Sequence, residues 1–439
     1  MGWLDKPRVL LIWPYGVSGA EAIPMAFAYL IPAMNTEMGC VGVMDCSLQN
    51  IHPNDPRFVQ LLREARPDII GISVWSQNWR WVQTTVAAIR KTLFGVPIVL
   101  GGPHISATED YGPADYALAG ECEQTFPVLL HALGSGAGQS EIDAIPGLHY
   151  GGQVTQTPKR PVADLDALGL PNYDAMLLPK YQKAGYRYRD GTRLQAPIVA
   201  TRGCPYECSF CEAPIISGKM IRKHSIAYLH ELLLHLKQKY NVSHINIVDD
   251  NFTFYKDYAK QFCEMVLSNR EALGDMTFAT PNGIRVERSD AEMFRMMKAA
   301  GWSRVIFAPE SGSQRMVDIM AKHLDLGVVP GRVAMAHEAG LDVEAFFIIN
   351  YPGETDDNVA QTEKFIVETQ FDAVSLHIFK PLPQTPIWRE LVDEKKLSPE
   401  YVIGRYDEID WLANGKTREE VADVFKRLSH AAKRVERMA

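Results

Sequence analysis

The 439 residues carry 45 basic and 53 acidic side chains, a formal charge of −8, with 46% hydrophobic and 22% charged residues. That composition suits a globular chain of two or three domains. It excludes a basic block able to neutralise phosphates, which argues against a nucleic-acid partner. The longest apolar runs, such as RVLLIW and AFFII, are too short for a membrane span. MGWLDKPR leads directly into a strand-like run and shows neither a signal peptide nor a myristoylation pattern, so the expected location is the cytoplasm. Seven cysteines, an odd number, do not suggest a disulfide framework. Cys40, Cys46, Cys122 and Cys263 are scattered and read as small buried hydrophobes.

The first 134 residues alternate strand and helix patterns. Short β-branched runs at 8–13, 41–45, 68–75, 97–102 and 115–120 are separated by helical stretches near 22–37, 57–65, 79–93 and 123–133. This predicts a doubly wound, Rossmann-like domain with a parallel sheet covered on both faces and ligands at the strand carboxyl ends. After the first strand comes WPYGVSGAEA, which lacks G-x-G-x-x-G and weighs against a dinucleotide. Residues 135–195 are Pro-, Gly- and Asp-rich and read as a connector. Tyr181, Tyr186 and Tyr188 within it suit either a partner surface or a packed linker.

From 196 to 390 a second series begins, with strands at 196–203, 244–250, 276–283, 304–311, 341–353 and 372–383. Six βα units predict a partial (β/α)6 barrel with its chemistry at the strand C-termini. Ser289 and Glu292 read as a capping box, and Gly301 and Gly340 as helix stops. Residues 391–439 form a helical C-terminal extension, with Trp388, Tyr406 and Trp411 as pocket-wall or core aromatics.

Three cysteines, Cys204, Cys208 and Cys211, fall in TRGCPYECSFCEAP after the first barrel strand. Gly203 and Pro205 make the segment leave its strand as a loop, able to curl thiolates around one compact object. The candidates are zinc and an iron–sulfur cluster. Structural zinc takes four ligands, usually as paired CxxC units, and no second pair exists. A cubane on three thiolates keeps one iron open.

RGCPYECSFC, with Phe210 before the last cysteine, resembles the CxxxCxxC signature of radical S-adenosylmethionine (radical SAM) enzymes. IVDDNFTF, FAPESGS, FFIINYPGET and FKPLPQTPIW resemble later landmarks of that family. With a doubly wound domain in front, the chain resembles the family's cobalamin-binding branch. The resemblance implies a 4Fe–4S cluster on the three cysteines. The open iron chelates S-adenosylmethionine, and one electron releases a 5′-deoxyadenosyl radical. It also implies cobalamin in the first domain, a small-molecule substrate and an electron donor such as flavodoxin or ferredoxin.

Carried onto this chain, the resemblance makes Phe210 an adenine contact and Glu310 and Ser311 contacts to the ribose or amino-acid end of S-adenosylmethionine. Asp249 and Asp250 read as pocket lining rather than a magnesium pair, and Asn282 and Arg285 lie after the third strand within reach of a ligand. In the first domain Trp75, Ser76, Gln77 and Asn78 would lie under the corrin ring, beside Gly101, Gly102, His104, Gly120 and Glu121. Two departures stand out. D-x-H-x-x-G, which supplies an axial histidine elsewhere, is absent, and Cys122 replaces a glycine in a G-E-G-E run. The expected activity is methylation of an unactivated carbon. The alternatives are radical oxidation, cyclisation or rearrangement, and a corrinoid or iron–sulfur sensor without turnover. A methylthiotransferase is disfavoured, because the spacing of Cys40, Cys46 and Cys122 does not match its second cluster.

Overall fold

The computed structural model describes residues 6–16, 23–34, 39–108, 110, 112–151, 153–154, 159–185, 193–405 and 408–436. Tyr186, Tyr188 and Tyr406 lie outside them, as does the end of the WPYGVSG loop.

Seven strands build the first sheet: β1 (Arg8–Trp13), β2 (Cys40–Asp45), β3 (Ile69–Ser73), β4 (Ile98–Gly101), β5 (Tyr116–Leu118), β6 (Leu148–Tyr150) and β7 (Gln153–Val154). Their order is β2-β1-β3-β4-β5-β6-β7, the first five parallel and the last two antiparallel. The order reverses between β1 and β3, the switch point at which doubly wound sheets open a crevice. Alternation along β1 separates two cores. Leu10 and Ile12 pack with Phe58, Val82 and Ile89 on one face. Val9, Leu11 and Trp13 pack with Phe27 and Leu129 on the other, in a core that continues into the second domain.

β6 and β7 come from the segment expected to be connector, so this sheet extends past residue 134. LHYGGQV is a hairpin signal of two short strands around glycines, and Gly151 takes φ +58° there. The rest of the connector is packed. The buried Tyr173 donates to Pro197 O at 2.5 Å, and Tyr181 to the Asp45 carboxylate at 2.5 Å. Tyr181 is therefore interior, not a partner surface.

The second domain contains β8 (Gln195–Ile198), the short antiparallel pair β9 (Thr201–Arg202) and β10 (Arg222–Lys223), then β11 (His244–Ile247), β12 (Thr277–Ala279), β13 (Arg304–Glu310), β14 (Asp342–Ile349) and β15 (Ala373–Ile378). Two parallel three-stranded sheets, β12-β11-β8 and β13-β14-β15, are joined by single bridges at Phe278–Trp302 and Ile284–Phe307. The result is a six-stranded arc, with no pairing of β15 to β8 among the described residues. Val343, Ala345, Phe347 and Ile349 alternate into the helical layer, while Glu344, Phe346 and Ile348 face the lumen and are half-buried.

The helix Ala291–Ala300 is capped by Asp290, which accepts from Met293 N at 2.9 Å, rather than by the expected Ser289–Glu292 box. Ser289 instead donates to Val286 O, and Glu292 pairs with Lys260. The helix begins one residue later than the pattern suggested. Gly301 ends it at φ +117° as expected. The helix Arg418–Glu436 covers the outer side of β15 and of the helix Asp356–Thr369. Trp388 and Trp411 pack against Phe379 and Tyr351, so they serve as core.

Candidate functional site

The cysteine loop is pinched shut at its base. Arg202 pairs with Arg222 and Thr201 with Lys223 across β9 and β10, and Cys204 N donates to Gly218 O at 3.0 Å. Gly203 takes φ +106°, and a Cβ there would sit 2.4 Å from Met220 O, so only glycine lets the two strands approach. A single helical turn, Ala213–Ile216, follows the third cysteine.

Two of the sulfurs have donors nearby: Ala213 N lies 3.4 Å from Cys211 Sγ and Arg285 Nη1 3.9 Å from Cys208 Sγ. Burial pushes the Cys204 and Cys211 thiols up, Cys211 to about 12. Iron ligation there must displace protons. Among the described residues no group of three or more His, Cys, Asp or Glu side chains closes around a single ion. A three-thiol loop with N–H donors aimed at sulfur fits a cubane cluster.

Two cations stand beside Cys208. Arg285 lies with Cζ 3.7 Å from the Tyr206 ring centroid and donates to Lys322 O. Lys322 Nζ reaches Glu310 Oε1 at 2.7 Å and sits 5.8 Å from the Phe210 ring centroid. Burial pulls the Lys322 ammonium down, but Glu310 and Cys208 together offset it, and the net shift is upward. Glu310 holds φ +67°, an unusual conformation for a non-glycine residue at the end of β13. Arg285 and Glu310 stand beside the cysteine loop that carries Phe210, and each is held in an ion pair, Arg285 with Glu287 and Glu310 with Lys322. Lys322 was not legible, because it follows no strand and its partner is twelve residues away.

Other expected residues have structural partners. Both Asp249 oxygens are occupied by Ala200 N, Thr201 N and Thr201 Oγ1 at 2.7–2.8 Å, which ties the end of β11 to that of β8. Burial pushes this carboxyl up to about 7 against those bonds. Asp250 reaches open space beside Ser217 and Gly203, and the surrounding protein raises its pKa too. Ser311 Oγ lies 3.2 Å from Thr362 Oγ1 and accepts from Ser313 N, and Asn282 donates to Val248 O at 2.8 Å.

The second feature is a cavity of about 290 Å³ between the first sheet and the barrel. It opens at the β1/β3 switch point. Gly71, Ser73, Gly101, Gly102, Gly120 and Cys122 form one wall, Met25, Tyr29 and Leu30 another, and Val199, Thr201, Arg202, Ser217 and Asp250 the barrel side. Glycines and apolar side chains leave a narrow slot. Its volume suits one arm of a large planar cofactor rather than its enclosure. A Cβ at Gly101 would meet only ordinary contacts, 3.6 Å from Cys122 Sγ, whereas at Gly102, with φ +100°, it would stand 2.8 Å from Val74 N.

Gly101, Gly102, Gly120 and Glu121 of the expected corrin residues line this cavity; Trp75, Ser76, Gln77, Asn78 and His104 do not. Trp75 packs edge-on to Trp13 at 5.4 Å, Asn78 accepts from Trp75 N at 3.0 Å, and Gln77 is buried beside them in the turn opening the helix Trp79–Thr92. His104 is held by Ser76 Oγ at 3.0 Å and lies against Trp79, ring centroids 4.6 Å apart. Burial pulls its pKa to about 4. The residues from Met25 to Leu30 and the barrel wall were missed, because the strand-end rule does not reach a helix face or another domain.

Two family models match the chain: the B12 binding domain over residues 16–130 and the radical SAM superfamily over 198–366. The chain belongs to the cobalamin-binding radical SAM family. The glycine-walled slot lies mainly on the part matched by the first model, and the cysteine loop lies in the part matched by the second. An uncharacterized methyltransferase of Pyrococcus horikoshii is 29% identical over 400 residues, covering 87% of this chain and 82% of that protein. The cytidylyl-2-hydroxyethylphosphonate methyltransferase of Streptomyces wedmorensis is 25% identical over 416 residues, covering 85% and 77%. Among solved structures, the radical S-adenosylmethionine methyltransferase TsrM of Kitasatospora setae superposes with a TM-score of 0.76 at 17% identity, covering 96% of this chain and 89% of that one. Among the described residues, no helix is long and apolar enough to cross a membrane.

Proposed function

We propose that this protein is a radical SAM C-methyltransferase that transfers a methyl group to an unactivated carbon of a small molecule. One observation carries the reading: the corrinoid slot and the cluster loop share a wall. Arg202 lies two residues before Cys204, Ser217 lies within the same loop, and both line the slot. A group held in the slot and a group held by the thiols would therefore border the same short segment of chain.

When bound, the cluster with S-adenosylmethionine supplies a 5′-deoxyadenosyl radical and cobalamin supplies the methyl group. The chain's own work is placement. Cys204, Cys208 and Cys211 would hold the cluster, and Arg285 and Lys322 set positive charge beside Cys208, where they would counter the charge of thiolate-bound iron. Phe210 and Glu310 border the place where the nucleoside and amino-acid parts of S-adenosylmethionine would lie. Gly71 and Gly101 leave part of the slot wall without side chains. The half-buried Phe346 and Ile348 give the lumen an apolar lining that keeps water from a carbon radical. Reduction calls for an external one-electron donor such as flavodoxin or ferredoxin.

Product analysis tests this. The anaerobically reconstituted protein, given reductant and candidate acceptors, should form S-adenosylhomocysteine together with 5′-deoxyadenosine. 5′-Deoxyadenosine without S-adenosylhomocysteine would move the assignment to radical oxidation, cyclisation or rearrangement.

A further inference from the structure

Between the two cofactor sides lies a buried set of four charges. Glu121 and Glu123 follow β5 in the first domain; Arg202 and Arg222 are cross-strand partners in the β9–β10 pair that closes the cysteine loop. Arg222 grips Glu121 with both terminal nitrogens, at 2.6 and 2.8 Å. Arg202 reaches Glu123 at 2.8 Å and Glu121 at 3.5 Å. The four side chains are 5–12% exposed. Arg222 also donates to Val162 O at 2.6 Å and Ser217 O at 2.8 Å, and Val162 N donates to Glu121 at 2.6 Å. The Arg202 guanidinium stands 5.1 Å from the ring centroid of Tyr29, a slot residue. Three segments remote in sequence, the first domain, the connector and the cysteine loop, are thus joined at one point.

Such a bridge is a poor source of net stability. Desolvating four charges costs about as much as their mutual attraction returns, and an apolar cluster of equal volume commonly does as well. Its distinctive property is geometry. A bidentate arginine–carboxylate pair fixes distance and angle together. An apolar contact would permit sliding.

We propose that Arg202 and Arg222, held by Glu121 and Glu123, are positioning residues that set the distance and tilt between the corrinoid slot and the cluster loop. The inference rests on the methyl-transfer reading above. The bridge lets the first domain dictate where the loop stands, so that a radical made on the cluster side forms within reach of the methyl donor. Misplacement by about 1 Å costs roughly a hundredfold in a step that depends on near-attack geometry. The two half-reactions should therefore uncouple when the bridge is weakened, although each cofactor still binds.

The test uses Arg222→Gln and Arg222→Lys in the full chain, reconstituted with iron, sulfide and cobalamin. Iron content, cobalt content, the ratio of S-adenosylhomocysteine to 5′-deoxyadenosine, and the dipolar coupling between Co(II) and the reduced cluster are measured. For Arg222→Gln we expect iron and cobalt as in the parent, a product ratio lower by about tenfold, and a broader range of cobalt-to-cluster distances. Arg222→Lys keeps the charge but lacks the two-pronged grip, and should show the same changes at smaller amplitude; it carries the test alone if the glutamine variant does not fold. An unchanged ratio with an unchanged distance distribution overturns the proposal. So does a loss of iron in step with activity, which would mark Arg222 as a support of the loop alone. If the parent itself makes no S-adenosylhomocysteine, the methyl-transfer reading falls, and the cobalt-to-cluster distances still decide whether the bridge sets them.

Discussion

The cysteine loop and the glycine-walled slot are built by opposite means. The loop is made of side chains that do chemistry: three thiols, an arginine at 3.9 Å from one sulfur, and a lysine paired with a glutamate. The slot is made of side chains that are missing, namely Gly71, Gly101, Gly102 and Gly120, together with the apolar face of one helix. Ligands with few, directional bonds need donors at fixed spacing, whereas a large planar cofactor needs room and a smooth wall. The first kind of site should fail through loss of one atom, the second through gain of one.

The harshest way to test that contrast is Cys208→Ala. It should remove most of the iron and lower 5′-deoxyadenosine formation by about a thousandfold or more, because the cofactor carries the bond cleavage. Cobalt content should stay near the parent value. Iron assay and product chromatography report both. A parallel loss of cobalt would mean the two sites are not separately built.

Lys322→Met is next. It leaves the Glu310 carboxylate buried without its partner at 2.7 Å, and should cost about 4 kcal/mol of stability, read from denaturant midpoints. Lys322→Met combined with Glu310→Leu should recover most of it.

His104 separates packing from ligation. The native state resists protonation of this histidine down to about pH 4, against 6.5 for an ordinary imidazole. Between those values the unfolded chain binds the extra proton, so stability falls as pH drops through that window, by on the order of 3 kcal/mol in total. His104→Phe should flatten the pH dependence and leave cobalt content unchanged. Loss of cobalt in that variant would make the ring a ligand after all.

The mildest case adds atoms to the slot. At Gly101 a Cβ meets only ordinary contacts, 3.6 Å from Cys122 Sγ, so Gly101→Val should fold. Its branches would occupy slot volume and weaken cobalamin binding by about tenfold, roughly 1.4 kcal/mol, with iron content unaffected. Equal cobalamin affinity would place the cofactor elsewhere on the sheet.

The same contrast explains what could be read in the sequence. The cysteine spacing, Gly203 and the alternation of strands and helices are local patterns, and both domains followed from them. Glu310 and Arg285 could be singled out because strand ends in a βα series point to one side. Lys322, Tyr206 and the Arg202–Glu123 contact join segments whose meeting only the fold decides. The hairpin at 148–154 was marked by its glycines and lost among the connector's many others. The slot was legible only at its strand-end residues, Gly101, Gly102, Gly120 and Glu121, while its helix and barrel walls left no trace. His104 and the run from Trp75 to Asn78 drew notice as polar and aromatic groups after strands, yet their partners are each other, Trp13 and Trp79.

Metal analysis of the full chain, purified and reconstituted without oxygen, tests the central claim most directly. The account predicts about four irons and one cobalt per chain, with the iron lost in Cys208→Ala and the cobalt retained. Zinc bound at Cys204, Cys208 and Cys211 in place of iron would contradict it.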